Sequence, residues 1–114
     1  MSVLTNKIGK LEYLTAEEIS VPHCFTTRHG GVSEGYLSSL NLGIHRGDQP
    51  ENVRKNYEIL GNALGFDIEN LVFTRQTHTN IVRVVDERNR GEGLFREVES
   101  ECDALVTNTP GVVL

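Results

Sequence analysis

One stretch of this chain, Asp48 to Gly65, carries a sustained helical signature, and it stands alone. Val53, Tyr57, Leu60 and Leu64 recur at helical spacing and share one stripe, while Asn52, Lys55 and Asn62 lie off it. Asp48 reads as the N-cap, Pro50 sits in the first turn, Glu51 lies near the positive end of the helix dipole, and Gly65 is placed to end the helix. The stripe reads as core packing, with Tyr57 the member whose polar tip could reach a pocket. The remaining regular structure must come from short strands and loops.

Those strands are legible as short apolar runs. Residues 2 to 14 read as two strands joined near Gly9-Lys10. Thr15 to Glu18 reads as a brief helical turn, with Thr15 as cap and Glu18 completing a capping box before Pro22 stops it. His23 to Thr27 reads as a strand, as do Leu71 to Thr74, Ile81 to Val85 and the buried run Cys102 to Thr107. Between the third strand and the helix, Arg28 to Gly47 holds Gly30, Gly31, Gly35, Gly43 and Gly47, five of the eleven glycines. Val32, Tyr36, Leu37, Leu40, Leu42 and Ile44 are interspersed through it, so it should pack down rather than remain disordered. Asp86 to Glu101, charged in both signs, reads as a solvated loop with Leu94-Phe95 as a small anchor that could make it a lid.

At 114 residues the chain is at most one domain. Its net charge of -5 and the lack of any long Lys/Arg run exclude an electrostatic footprint for nucleic acid or an anionic membrane surface. No segment has the apolar length of a signal peptide or a membrane span, which points to the cytoplasm. Cys24 and Cys102 match neither a disulfide framework nor a CxxC site and read as two buried thiols. The chain stops at Gly111 to Leu114, just as a new buried strand begins after the turn signal Asn108-Thr109-Pro110-Gly111, and this reads as a fragment.

Three polar clusters could carry chemistry. The first is Arg28-His29-Gly30-Gly31, where a guanidinium and a glycine nest of N–H groups could hold an anion, or the glycines could simply make a turn. The second is Asn41 with His45-Arg46-Gly47-Asp48. The third is Gln76-Thr77-His78, a polar joint between two apolar runs, whose histidine is either a metal donor or a loop residue bonded to a carbonyl. No Walker loop, GxGxxG or GxSxG elbow is present. A closed metal site needs three or four donors, and His23, His29, His45, Cys24 and Cys102 stand at no helical or tight-turn spacing from His78.

Three stretches taken together resemble one family. Phe25-Thr26-Thr27-Arg28-His29-Gly30-Gly31-Val32-Ser33-Glu34-Gly35 leads to Ser39-Leu40-Asn41-Leu42-Gly43; Gln76-Thr77-His78 follows; Asp103-Ala104-Leu105-Val106-Thr107 comes before Pro110-Gly111. This pattern, running from about residue 22 onward, is similar to the YfiH-type family, also called laccase-domain or multicopper polyphenol oxidoreductase proteins.

The resemblance implies an α/β (α+β) sandwich with the cysteine-hydrolase-like fold of the cytotoxic necrotizing factors. Residues 1–114 would form the N-terminal part, about half, of a single such domain. It implies a zinc-dependent purine nucleoside phosphorylase that also deaminates adenosine, with adenosine, inosine, guanosine and methylthioadenosine as substrates and phosphate as co-substrate. Copper is the alternative metal behind the older laccase name. His78 would be the catalytic metal ligand, with the remaining Cys and His supplied from A-D-C and H-A-G-W-R-G motifs expected beyond Leu114. Cys102 is not that cysteine, because it precedes the D-A-L-V-T strand. Arg28, Asn41 and Gln76 are the substrate-side candidates. Two departures bear on substrate detail: Tyr57 stands where many members have Arg, and Thr79 where Gly is frequent. Alternative readings are a peptidoglycan-editing hydrolase that removes L-Ser from a muramyl precursor, a copper oxidase, and a non-catalytic module that folds only with its other half or a dimer partner.

Overall fold

The computed structural model describes residues 2–114 and divides the chain into two compact units, Met1–Ala63 and Leu64–Leu114. The first unit begins with a hairpin. Strand β1 (Val3–Ile8) pairs antiparallel with β2 (Leu11–Ala16) in the register Val3↔Ala16 to Ile8↔Leu11. Gly9, at φ 60°, makes the tight connection that residues with a Cβ avoid. A two-residue strand β3 (Phe25–Thr26) adds to the other edge of β2. The Thr15 to Glu18 stretch is therefore not a helical turn. The ladder carries β2 through Ala16, and Glu18 accepts the Ser2 N–H instead of closing a capping box. The strand expected over 23–27 shrinks to Phe25 and Thr26, paired with Leu14 and Tyr13: the Ala16 N–H of β2 is taken by the His23 side chain, while Thr27 still donates its N–H to the Glu12 carbonyl.

The helix α1 (Pro50–Leu64) falls close to its expected bounds, and Gly65 follows it at φ 83°. Val53 and Leu60 are buried with Leu11 and Leu40, and these four form the buried apolar set of the first unit. Asp48 is not the residue that precedes the helix. Gln49 is, and its carbonyl accepts from the N–H groups of Asn52 and Val53. Asn56 is also fully buried on this helix, although its amide is polar.

In the second unit the buried residues are Leu71, Val72, Val85, Gly91, Cys102 and the carboxylate-bearing Glu92. Strands β4 (Val82–Val84) and β5 (Ala104–Val106) form a parallel pair, with Val82 opposite Ala104 and Val84 opposite Val106. The expected strand over 71–74 is reduced to a bridge between Leu71 and Val113. Its neighbours divide their bonds: Val72 N–H donates to Val113 and Phe73 N–H to Glu92, so no single partner strand runs alongside. The run Cys102 to Thr107, expected as a buried strand, is buried only at Cys102: along β5 Ala104 and Val106 are exposed and Leu105 is half-buried, and Val82 and Val84 on β4 are exposed likewise.

The Asp86 to Glu101 segment is not a simple solvated loop. Glu92 lies at its centre with no exposed surface, and its two carboxylate oxygens accept from Arg83 Nη1 at 2.6 Å and Nη2 at 3.0 Å. Asn89 Nδ2 at 2.6 Å and the Glu99 N–H at 3.2 Å complete the set. Burial alone pushes this carboxyl up. The fork from Arg83, the Asn89 amide and the Glu99 N–H outweigh it and bring the group down to about 2. Among the described residues no helix is long and apolar enough to cross a membrane.

Candidate functional site

The polar joint around His78 is stitched to the start of β5. Cys102 N–H donates to the Arg75 carbonyl at 3.1 Å, and Asp103 N–H donates to the Ile81 carbonyl at 3.1 Å. Within that bracket Asp103 turns its carboxylate onto the loop. Oδ1 accepts the Thr77 N–H at 3.0 Å and the Thr79 hydroxyl at 3.3 Å. Hydrogen bonds from the Thr79 backbone hold the Asp103 carboxyl below the usual carboxylate range, against a smaller opposing effect of burial. The Thr77 N–H, the Thr79 hydroxyl and the nearby His78 imidazole add to the lowering.

His78 sits between these anchored residues at φ 60°, the one non-glycine residue in the left-handed region among the described residues. Its side chain is exposed, and no hydrogen bond engages either ring nitrogen among the described residues. The alternative in which the imidazole satisfies a loop carbonyl is therefore not what the chain does. Gln76, two residues earlier, is also exposed.

Arg28 and Asn41 belong to the first unit. The Arg28 guanidinium donates through Nε at 3.0 Å and Nη2 at 2.9 Å to the Ser38 carbonyl. The glycines beside it do not form an open anion nest. Gly30 and Gly31 N–H groups both donate to Ser39 Oγ, Val32 N–H to Asn56 Oδ1, and Ser33 N–H to the Ser39 carbonyl. Gly31 is needed for close approach, since a Cβ there would overlap the Ser39 carbonyl, Asn56 Oδ1 and Leu40 Cα.

Asn41 shapes the same loop. Its Nδ2 donates to the Gly43 carbonyl and to Asp48 Oδ2, each at 3.2 Å, and its Oδ1 accepts the Gly43 N–H. Asp48 gathers Ser33 Oγ at 2.5 Å, the Asn41 and Asn52 amides and the Gln49 N–H, and the Ser33 hydroxyl leads in lowering its carboxyl below the usual range. Buried Asn56 joins the set by donating to Ser33 Oγ and the Asn41 carbonyl. Tyr57 does not present its hydroxyl to a pocket; it donates to the Leu42 carbonyl at 2.6 Å, and burial raises its pKa.

The other metal candidates are placed differently. His23 is held at both nitrogens, with Nε2 accepting the Ala16 N–H at 2.9 Å and Nδ1 at 2.7 Å from the Val21 carbonyl. Those two contacts fix the neutral tautomer with the proton on Nδ1. Cys102 is fully buried and Cys24 half-buried, both as free thiols. Among the described residues no three His, Cys, Asp or Glu side chains group to hold a metal ion. An open imidazole fits one metal position, and a structural or catalytic zinc takes at least three protein donors. The chain's own residues therefore match a metal through His78 alone and do not make a closed site. The sequence reading missed Asp103, Glu92 and Asn56 as organising groups; the acid opening the last strand was the one visible signal.

The model for multi-copper polyphenol oxidoreductase laccase matches residues 22–114. A purine nucleoside phosphorylase of Deinococcus radiodurans is 43% identical over 104 residues, covering 91% of this chain and 37% of its own length. Purine nucleoside phosphorylase YlmD of Bacillus subtilis is 38% identical over 92 residues, covering 79% and 33%. The crystal structure of YlmD from Geobacillus stearothermophilus superposes with a TM-score of 0.70 at 32% identity, over 79% of this chain and 34% of that one. The chain spans about a third of the length of the curated relatives it matches. By the extent of the family match and by these likenesses in sequence and α+β architecture, the chain belongs to the multi-copper polyphenol oxidoreductase laccase family, whose description implies metal binding.

Proposed function

We propose that this chain supplies part of the site of a zinc-dependent purine nucleoside phosphorylase, with His78 as a metal donor. The observation that carries the reading is the imidazole of His78, exposed and without a hydrogen bond among the described residues, at the apex of a loop anchored on both sides. The relatives named purine nucleoside phosphorylase support the reaction class. In that reaction a phosphate oxygen displaces the base at C1′, the glycosidic bond breaks, and free purine and ribose 1-phosphate leave. Zinc supplies Lewis acidity when bound, and deamination of adenosine is a second reaction of the same class of site.

Residues 1–114 form, on this reading, the N-terminal part of a single YfiH-type laccase domain with a cysteine-hydrolase-like fold. Gln76 is the substrate-side group next to His78. Arg28 retains Nη1 for an oxyanion, since only Nε and Nη2 are engaged by Ser38. Asn41 contributes by fixing the Leu42-Gly43 loop, as both Nδ2 donors are already engaged.

The test replaces the matching segment of the Deinococcus radiodurans relative with this chain. Phosphate-dependent release of purine from inosine and adenosine is then followed by chromatography, with and without chelator. The chimera should turn over with zinc and stop with chelator, His78→Ala should abolish turnover, and the 114-residue chain alone should show almost none. A His78→Ala chimera that keeps wild-type turnover would sink the assignment.

A further inference from the structure

We propose that Asp103 is a positioning residue for His78: its Oδ1 clamps Thr77 and Thr79 so that the loop holds the imidazole out in a left-handed backbone conformation. A non-glycine residue rarely occupies that region unless its surroundings over-determine it. Here the surroundings are visible. The residue before His78 gives its N–H and the residue after it gives its hydroxyl to one carboxylate oxygen. The carboxylate cannot drift, because Asp103 N–H is fixed on the Ile81 carbonyl and Cys102 N–H on the Arg75 carbonyl.

The arrangement differs from an ordinary loop closure in what it leaves open. The flanking Thr77 N–H and Thr79 hydroxyl are drawn inward to Asp103, while the residue between them is exposed and its ring is unengaged among the described residues. An anion beside the imidazole also favours a cation bound there. That last consequence rests on the reading of His78 as a metal donor; the clamp itself rests on geometry alone.

The experiment compares the isotope-labelled 114-residue chain as wild type, Asp103→Ala, Asp103→Asn and Thr79→Val by nuclear magnetic resonance. The Thr77 amide reports the clamp, the intraresidue coupling of His78 reports its φ, and the Val85 amide, which donates to the Val106 carbonyl, serves as internal control. Asp103→Ala should raise Thr77 exchange about tenfold or more and move His78 out of the left-handed region, with Val85 unchanged. Asp103→Asn keeps an acceptor at Oδ1 and should restore most of the protection, and Thr79→Val should give a smaller increase than Ala.

Unchanged Thr77 exchange in Asp103→Ala overturns the proposal. So does a parallel rise of Thr77 and Val85, which would make Asp103 a general structural residue, and so does failure of Asn to rescue. Zinc titrated into the same samples separates the two claims. Ring shifts of His78 should appear in the wild type and need about tenfold more zinc in Asp103→Ala. No shift in the wild type refutes the metal donor and leaves the clamp judged by the amides. Equal zinc response in wild type and Ala refutes the coupling of clamp to metal.

Discussion

Glu92 gives the sharpest quantitative expectation. Its carboxylate is fully buried and titrates at about 2 in the folded chain against an ordinary 4.5. At about 1.4 kcal/mol per pH unit, that difference corresponds to about 3 kcal/mol of stability. Because the folded group binds its proton only at lower pH than the unfolded one, the contribution is fully present above about 4.5 and is lost as pH falls toward about 2. About 2 kcal/mol of it is already gone at about pH 3. Domains of this size are stable by about 5–15 kcal/mol, so the loss is a large fraction of the whole. Urea unfolding of the wild type and Glu92→Gln at about pH 6 and about pH 3 reads it directly. The wild type should lose about 2 kcal/mol more than Glu92→Gln between the two conditions. Equal losses in the two proteins would refute the claim that the Arg83 fork holds this carboxyl down.

Two substitutions in the first unit follow from the same kind of accounting. Asn56→Ala removes the acceptor of the Val32 N–H and the donors to Ser33 Oγ and the Asn41 carbonyl, and should cost about 2–3 kcal/mol in urea midpoints. Gly31→Ala forces a methyl into the Ser39 carbonyl and Asn56 Oδ1 and should cost about 1–3 kcal/mol, read as a lowered thermal midpoint.

What could be read from the sequence was what depends on near neighbours. Val53 and Leu60 announced the buried stripe of α1, Gly65 its end, and Gly9 the hairpin turn, because each follows from a spacing or a local φ. The misread residues owe their positions to distant partners. Asp48 looked like a cap, but Ser33 and Asn41 from the loop claim its carboxylate. Asn56, three residues after Val53 and four before Leu60, shares their helix face but is polar, and its burial is tolerable only because the Val32 N–H and the Asn41 carbonyl come to meet its amide. Glu92 sits in a charged run whose composition suggests solvent, and the Arg83 fork from β4, with the Asn89 amide and the Glu99 N–H, makes its burial tolerable.

At the candidate site His78 was legible as a residue worth examining and illegible as a geometry. Nothing in Gln76-Thr77-His78 announces a left-handed backbone at the histidine, since that conformation is imposed from Asp103, far along the chain.

The two units share a way of ordering loops that explains why such a site can be rigid without much regular structure. Their buried apolar sets are small: Leu11, Leu40, Val53 and Leu60 in one, and Leu71, Val72, Val85 and Cys102 in the other. Apolar contact is non-directional and would leave the long loops many alternatives. Asn56 and Asp48 in the first unit, and Glu92 and Asp103 in the second, instead bind specific backbone and side-chain groups from separate segments. For the buried pair, Asn56 and Glu92, leaving even one of these groups unpaired is costly, so the loops have few other ways to close. Asp103 applies the same principle to a part-buried loop. By engaging Thr77 and Thr79 it leaves His78 the residue whose side chain remains open, and a loop that would otherwise sample many conformations presents one imidazole in one direction.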